Sequence, residues 1–357
     1  MKKKIVKTAK QIVVFLIVIA TGLICGNTVT VKEIEIDFIR IKAGLMTTSE
    51  GLKNVTAAKL WEILQDDGIF SGDIFETNYL EPQTAGSYQS NLESFARSGY
   101  KLILCAGAEL TDAALAQAEK NSDICYIIID YIPTAAILPK NVVGVGFSIG
   151  EAVYLTGIIA ADVTQRGKIG VIIGDDVPSQ NECAAAFYAG VLAERADTEI
   201  DGIYMGAGKG ADFAQSIANQ MYANKSDIIF AGAGSANTGI MESARRRDLY
   251  MICGDADLSD EREVPGNVLV SAVKHYDTVI YDLVAKYIDG ELKGGYLKFG
   301  LKENGVGIII PNDKLPVSEE TLNKTEAAKM KIIEGALTIP YDREELLKDF
   351  PETKFMK

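Results

Sequence analysis

The chain is poor in the residues that most hydrolytic and metal chemistry needs. It has one histidine, His275, in 357 residues. A His-dependent triad or a multi-histidine metal centre therefore has little material here. Its five cysteines, Cys25, Cys105, Cys125, Cys183 and Cys253, match no zinc or redox spacing. Three of them lie in the apolar runs "LILCAG", "DICYIIID" and "YMICGD", where a cysteine reads as a small buried hydrophobe. A disulfide stays open as the alternative if the chain is exported. Proline and glycine are not abundant enough for a fibrous or long disordered region, and no solenoid period recurs. Basic residues are outnumbered, with 36 Lys and Arg against 49 Asp and Glu, for a formal charge of −13. That balance disfavours nucleic acid as a partner.

The N-terminus runs the other way. Lys2, Lys3, Lys4, Lys7 and Lys10 precede the uncharged run "IVVFLIVIATGLI" from Ile12 to Ile24. At roughly 13 residues it is short for a membrane span and suits the core of a signal peptide. An uncleaved anchor is the alternative, and either one exports the rest of the chain. Cys25 follows directly, where a bacterial lipoprotein carries its lipidated cysteine, although Ile24 is bulkier than the small residue usual before it. The expected location is the outer face of the cell membrane or the periplasm.

From about Ile39, short Ile- and Val-rich runs alternate with helical patterns. The runs include 102–107, 124–130, 142–147, 168–174, 227–234, 249–255 and 268–273. They do not alternate polar with apolar, as expected of strands covered on both faces. Between them, Tyr88, Leu92 and Phe95 share a helical face ended by Gly99, and Phe213, Ile217 and Met221 repeat at four-residue spacing. "SIGE" at 148–151 has the spacing of a capping box. The pattern predicts an α/β protein of two doubly wound parallel-sheet lobes. "YLKFG" and "GVGIII" predict further strands, and 319–334 a helix. The last residues predict a short helix or loose tail.

Ligands of open α/β sheets bind beyond the carboxyl ends of the strands. Those ends carry Thr47 and Thr48, then Gly107, Ala108 and Glu109, then Asp130, Asp175 and Asp176, Gly234 and Ser235, and Asp255. Carboxylates there can accept bonds from ligand hydroxyls, and glycines admit a ligand to the backbone. Turn formation and helix capping are the competing role for such aspartates, most clearly in "GDDVPSQ". "GAGSANTG" has Asn237 at the third glycine position of a dinucleotide loop, and "DADLSDERE" has Asp260 where a calcium loop needs glycine. Neither a cofactor nor a metal is therefore expected. His275 reads as a helix-start residue.

The order of "SNLESFARSGYKLILCAG", "CYIIID", "GEAVYLTGIIAADVTQRGKIGVIIG", "AFYAGV", "SDIIFAGAGSANTGIMESA", "ICGDAD" and "VLVSAVKHYDTVIYDLV" resembles the basic membrane protein family. These are purine-nucleoside-receptor-like, substrate-binding lipoproteins of ABC importers. The resemblance runs from about Arg40 to Pro340. It implies a type I periplasmic-binding fold, two lobes with a ligand cleft between them, and three crossings near Ser148, Asp255 and Leu292. Lobe 1 is then 37–148 plus 256–292, lobe 2 is 149–255 plus 293–340, and 341–357 is a tail after an anchor at 1–25. It implies a small-molecule, nucleoside-like ligand and a permease partner, with attachment to the membrane through the N-terminus. Asp130, Asp255 and Lys274 match polar residues that hold sugar and base in the family, and Phe187 of "AFYAG" matches an aromatic that can stack on a base. Core packing is the other role for Phe187.

The stretch after the first strand departs from the pattern. Relatives carry an aspartate, then a loop ending in "SFN". Keeping Asn54 on that asparagine puts Thr48 at the aspartate and Lys53 at the stacking phenylalanine. A second pairing, anchored on Trp61, loses the asparagine as well. Cys183 replaces a further aromatic. The expected binding residues are Thr47, Thr48, Asn54, Gly107, Asp130, Phe187, Gly234, Ser235, Asp255 and Lys274, with Cys25 for lipidation. The same fold could instead serve as a sensor subunit of a membrane signalling system. An extracellular nucleoside- or sugar-processing enzyme is a third reading, its carboxylates doing acid–base work.

Overall fold

Leu102–Ala106 and Ile228–Gly232 are strands in which every residue is buried, as continuous apolar runs require when helices cover both sheet faces. The computed structural model describes residues 40–72, 74–134, 137–254, 267–311 and 316–356. These divide into two units. One contains the described residues up to Gly146 together with Tyr276–Leu297, and the other contains Phe147–His275 together with the described residues from Lys298 onward.

Strands and helices are numbered along the chain. The first unit is built on β1 (Ile41–Met46), β2 (Phe75–Leu80), β3 (Leu102–Ala106), β4 (Cys125–Ile129) and β5 (Val142–Phe147), with β11 (Gly295–Phe299) at one edge. The sheet order is β11-β5-β4-β3-β1-β2, and the pairs from β5 to β2 are parallel. Its helices are α1 (Val55–Leu64), α2 (Tyr88–Arg97), α3 (Thr111–Lys120) and α8 (Tyr276–Ile288). Leu92 and Phe95 of α2 pack into the core with Met46, Ile103 and Tyr126, as the helical spacing predicts. Gly99, at φ 80°, ends that helix.

The second unit repeats the order. It is built on β6 (Lys168–Ile173), β7 (Glu199–Tyr204), β8 (Ile228–Gly232), β9 (Tyr250–Cys253), β10 (Val268–Lys274) and β12 (Val306–Ile309), arranged β12-β10-β9-β8-β6-β7. Among the described residues its other pairs are parallel, and β12 runs antiparallel to β10, with Ser271 opposite Ile309. The helices are α4 (Ile149–Val163), α5 (Pro178–Glu194), α6 (Ala211–Ala223), α7 (Asn237–Arg247), α9 (Glu319–Ile333) and α10 (Arg343–Asp349). Lys324 of α9 bridges Asp162 of α4 and Glu194 of α5 at 3.0 and 2.8 Å, tying three helices together.

Two expectations are corrected, and one open alternative is decided. The chain divides at 146/147, 275/276 and 297/298, so β10 belongs with the second unit and not with lobe 1. The reason is pairing: β10 lies between β9 and β12. Of the two alternatives for the C-terminal stretch, the short helix forms as α10, and Leu346 and Phe355 are buried, with the Phe355 ring 5.1 Å from that of Tyr188. The capping box at Ser148 does not form. The Ser148 side chain makes no cap bond, and Glu151 accepts instead from the Leu301 amide at 2.7 Å.

Helices α4 and α5 meet through two glycines. A Cβ on Gly190 would stand 2.1 Å from the Tyr154 carbonyl oxygen, and one on Gly157 would stand 2.5 Å from that of Phe187. Alanine is the better helix former by about 1 kcal/mol, but here it meets backbone that cannot step aside. Gly190→Ala should therefore destabilise the protein by about 1–3 kcal/mol, the usual range for overpacking. Urea unfolding measures this, and unchanged or higher stability would mean that the close approach is not limiting.

Candidate functional site

The carboxyl edge of the first sheet begins where β1 gives way to hydroxyls. Thr47 is fully buried, and its hydroxyl donates to the carbonyls of Thr48 and Leu80 at 3.0 and 3.3 Å. It fastens the ends of β1 and β2. The Thr48 hydroxyl accepts from the Glu50 amide at 3.4 Å, and the Ser49 amide donates to the Tyr88 hydroxyl at 3.3 Å. Asn54 is the N-cap of α1. Its Oδ1 accepts from the Ala57 amide at 3.2 Å, and its Nδ2 donates to Glu50 at 3.1 Å. Lys53 is exposed.

Beyond β3, Gly107 sits at φ 132°, a conformation open to glycine. Glu109 follows in the short 3-10 turn Ala108–Leu110 and is exposed, while Leu110 is buried and anchors the turn. Beyond β4, Asp130 is half-buried at φ 56°, a left-handed conformation uncommon outside glycine, asparagine and aspartate. The first unit thus brings Thr48, Gly107, Glu109 and Asp130 to one sheet edge.

The corresponding edge of the second unit carries Gly234 and Ser235, both exposed, in the 3-10 turn after β8. Asn237 is buried below them and holds the turn closed. Its Oδ1 accepts from the Ala233 amide at 2.9 Å, and its Nδ2 donates to the Ala231 carbonyl at 3.3 Å. This asparagine is a staple, which accounts for a loop that fails as a dinucleotide motif. Lys274 ends β10, with its Nζ 5.4 Å from the centre of the Phe147 ring. Phe187 does not present a face for stacking. It is fully buried, and its ring lies 4.4 Å from that of Phe230 in a stacked pair, so it packs the core. Asp255 and Cys25 lie outside the described residues. Burial pushes the thiols of Cys105 and Cys125 up to about 12.

The second unit also holds a cavity of about 250 Å³ lined by Ser148, Glu151, Glu182, Lys298, Ile339 and Tyr341 among others. None of the residues expected from sequence lines it. Glu182, in the first turns of α5, had no signal in its surroundings to mark it. Burial pushes its carboxyl above the usual range and Glu151 adds to this, while Lys298, the Gly150 amide and Lys274 pull it down. That Gly150 amide belongs to the first turn of α4, where the capping box was expected. Gly146, Ser148 and Gly150 also spell G-x-S-x-G at a strand-to-helix turn, a pattern the sequence reading missed. Ser148 has φ −82° and ψ 60°, not the strained backbone of a nucleophile elbow, and no histidine is among the lining residues.

The Bmp family model, ABC transporter substrate-binding protein PnrA-like, matches residues 47–343. The chain belongs to this family. Among curated relatives, this PnrA-like protein is 31% identical over 271 residues to basic membrane protein D of Borreliella burgdorferi, covering 74% of this chain and 79% of that one. It is 28% identical over 321 residues to the ABC transporter nucleoside-binding protein BmpA of Lactococcus lactis, covering 84% and 89%. An ABC transporter solute-binding protein from Aeropyrum pernix has the same fold, with a TM-score of 0.69 at 21% identity over 87% of this chain and 97% of that one. The PnrA-like chain is a substrate-binding protein of an ABC transporter with the type I periplasmic-binding fold.

Glu182 generates a pH signature. A carboxyl whose folded pKa is raised binds protons more tightly in the native state, so it lowers stability as pH rises from its unfolded value through its folded one. Glu182→Gln removes this effect while retaining size and hydrogen bonding. The melting temperature of the variant relative to the native PnrA-like protein should rise between pH 4 and pH 7. A difference independent of pH would show that Glu182 ionises as it does in the unfolded chain.

Proposed function

We propose that this chain is an exported receptor, anchored to the outer face of the membrane through Cys25, that delivers a nucleoside to the permease of an ABC importer. The observation that carries the ligand class is the family match over residues 47–343, together with the relative named as nucleoside-binding. The two sheet edges support it. The first offers the acceptors Glu109 and Asp130 with an open glycine backbone at Gly107, and the second offers Gly234, Ser235 and Lys274. Carboxylates accept hydrogen bonds from sugar hydroxyls and base amino groups. They repel phosphate, which favours a nucleoside over a nucleotide. Lys274 supplies donors for a base oxygen or ring nitrogen. The base would not be held by the Phe187 ring, since that ring is packed on Phe230.

A receptor binds stoichiometrically and returns its ligand unchanged. Isothermal titration of the exported part of the chain with a panel of ribonucleosides and deoxyribonucleosides should show one site per chain, and mass spectrometry should find the recovered nucleoside intact. A silent panel with folded protein would overturn the nucleoside assignment, and a released base or sugar would overturn the receptor reading. Asp255→Ala should weaken binding by about 1–3 kcal/mol if its carboxylate accepts ligand hydroxyls. Unchanged affinity in the same titration removes that residue from the site.

A further inference from the structure

Several polar groups at the carboxyl edge of the first sheet are already engaged within the protein. Thr47 donates to two carbonyls, the Thr48 hydroxyl accepts from Glu50, and the Asn54 side chain caps α1 and holds Glu50. Glu109 is different. Its side chain is exposed and takes part in no hydrogen bond or ion pair among the described residues. Its carboxylate lies beside Gly107. Glu109 Oε2 stands 2.7 Å from the point where a Cβ on Gly107 would lie, so the carboxylate occupies the space that the glycine leaves open. The Thr48 methyl carbon is 3.4 Å from the same point.

Strands β1 and β3 are paired neighbours, with Met46 opposite Cys105, so Thr48 and Gly107 leave the sheet side by side. A carboxylate carried by the β3 turn thus stands over the end of β1, where this chain has threonine. Gly107 allows this placement, since at φ 132° it holds a conformation that an L side chain rarely adopts, and a Cβ would collide with Glu109.

We propose that Glu109 is a specificity-determining ligand contact, whose carboxylate accepts hydrogen bonds from the two adjacent hydroxyls of a ribose. This rests on the nucleoside reading above. An ionised carboxylate has two acceptor oxygens and no donor, which suits two neighbouring hydroxyls and gives nothing to a sugar that lacks one of them. It contacts ligand and acts directly, not through another residue.

The test compares the native chain with Glu109→Gln in titrations against a ribonucleoside and its 2′-deoxy counterpart. Glu119→Gln, which removes the same charge from an exposed position near the far end of α3, is the control. Loss of bonds to a charged acceptor should weaken ribonucleoside binding about tenfold or more in Glu109→Gln. Binding of the deoxynucleoside should change much less, so the preference for ribose shrinks. The control should keep both affinities, and melting curves should show all three proteins equally folded. An unchanged ribose preference in Glu109→Gln overturns the inference alone. An equal loss in the control also overturns it, by assigning the effect to net charge. A native chain that binds neither nucleoside overturns the nucleoside reading and this inference with it.

Discussion

Each unit depends on the burial of parallel strands on both faces. A strand such as β3, with no exposed residue, has nowhere to place a polar side chain along its length. Its backbone groups are satisfied by neighbouring strands, and its side chains by apolar helix faces. Chemistry is thereby confined to the first residues after each strand, where the chain leaves the sheet. Thr48, Gly107, Asp130, Gly234 and Lys274 all lie within a few residues of a strand end for this reason. At the close crossing of α4 and α5, two glycines let the helix backbones approach.

A strand end does not by itself supply a free functional group. The same residues must close turns and start helices, and those tasks consume hydrogen-bonding capacity. Asn237 and Asp227 show how completely. Asn237 spans the turn after β8, and Asp227 accepts from the Thr164 hydroxyl at 2.6 Å and from the Gln165 and Arg166 amides at 2.8 and 2.9 Å. Both are polar residues near strands in apolar surroundings, and both are structural. What separates a binding group from a structural one at such an edge is whether its bonds are already made, and this depends on partners distant in sequence.

That distinction marks the limit of what could be read from the residues alone. The strand runs were legible because periodicity and composition are local, and the family order extended them to the type I fold. Placement at the strand ends was legible for Thr47, Gly107 and Asp130. The engagement of the Thr47 hydroxyl by Leu80 was not, because Leu80 lies 33 residues away on another strand. Phe187 of α5 stacks on Phe230 of β8, which arrives 43 positions later, so a motif aromatic and a core aromatic look alike until that helix and strand are assembled. The boundary at Asp255 was misplaced for a similar reason. The crossing there followed from the family resemblance, whereas membership of β10 is decided by its pairing with β9 and β12.

The shared strand order of the two sheets has a consequence for synthesis. The first sheet takes β11 from residues 295–299, and its unit takes α8 from 276–288, after the chain has passed through β6 to β10. On a ribosome, the N-terminal unit therefore waits, with one sheet edge open, while most strands of the second sheet emerge. Domains made from one continuous stretch can fold in order as they are released. Here neither unit can, because the first lacks its closing strand until residue 299 and the second still awaits β12, α9 and α10. An unpaired edge is a site for wrong pairing. The interval between those events is the period in which a nascent chain of this topology most needs shielding from its neighbours.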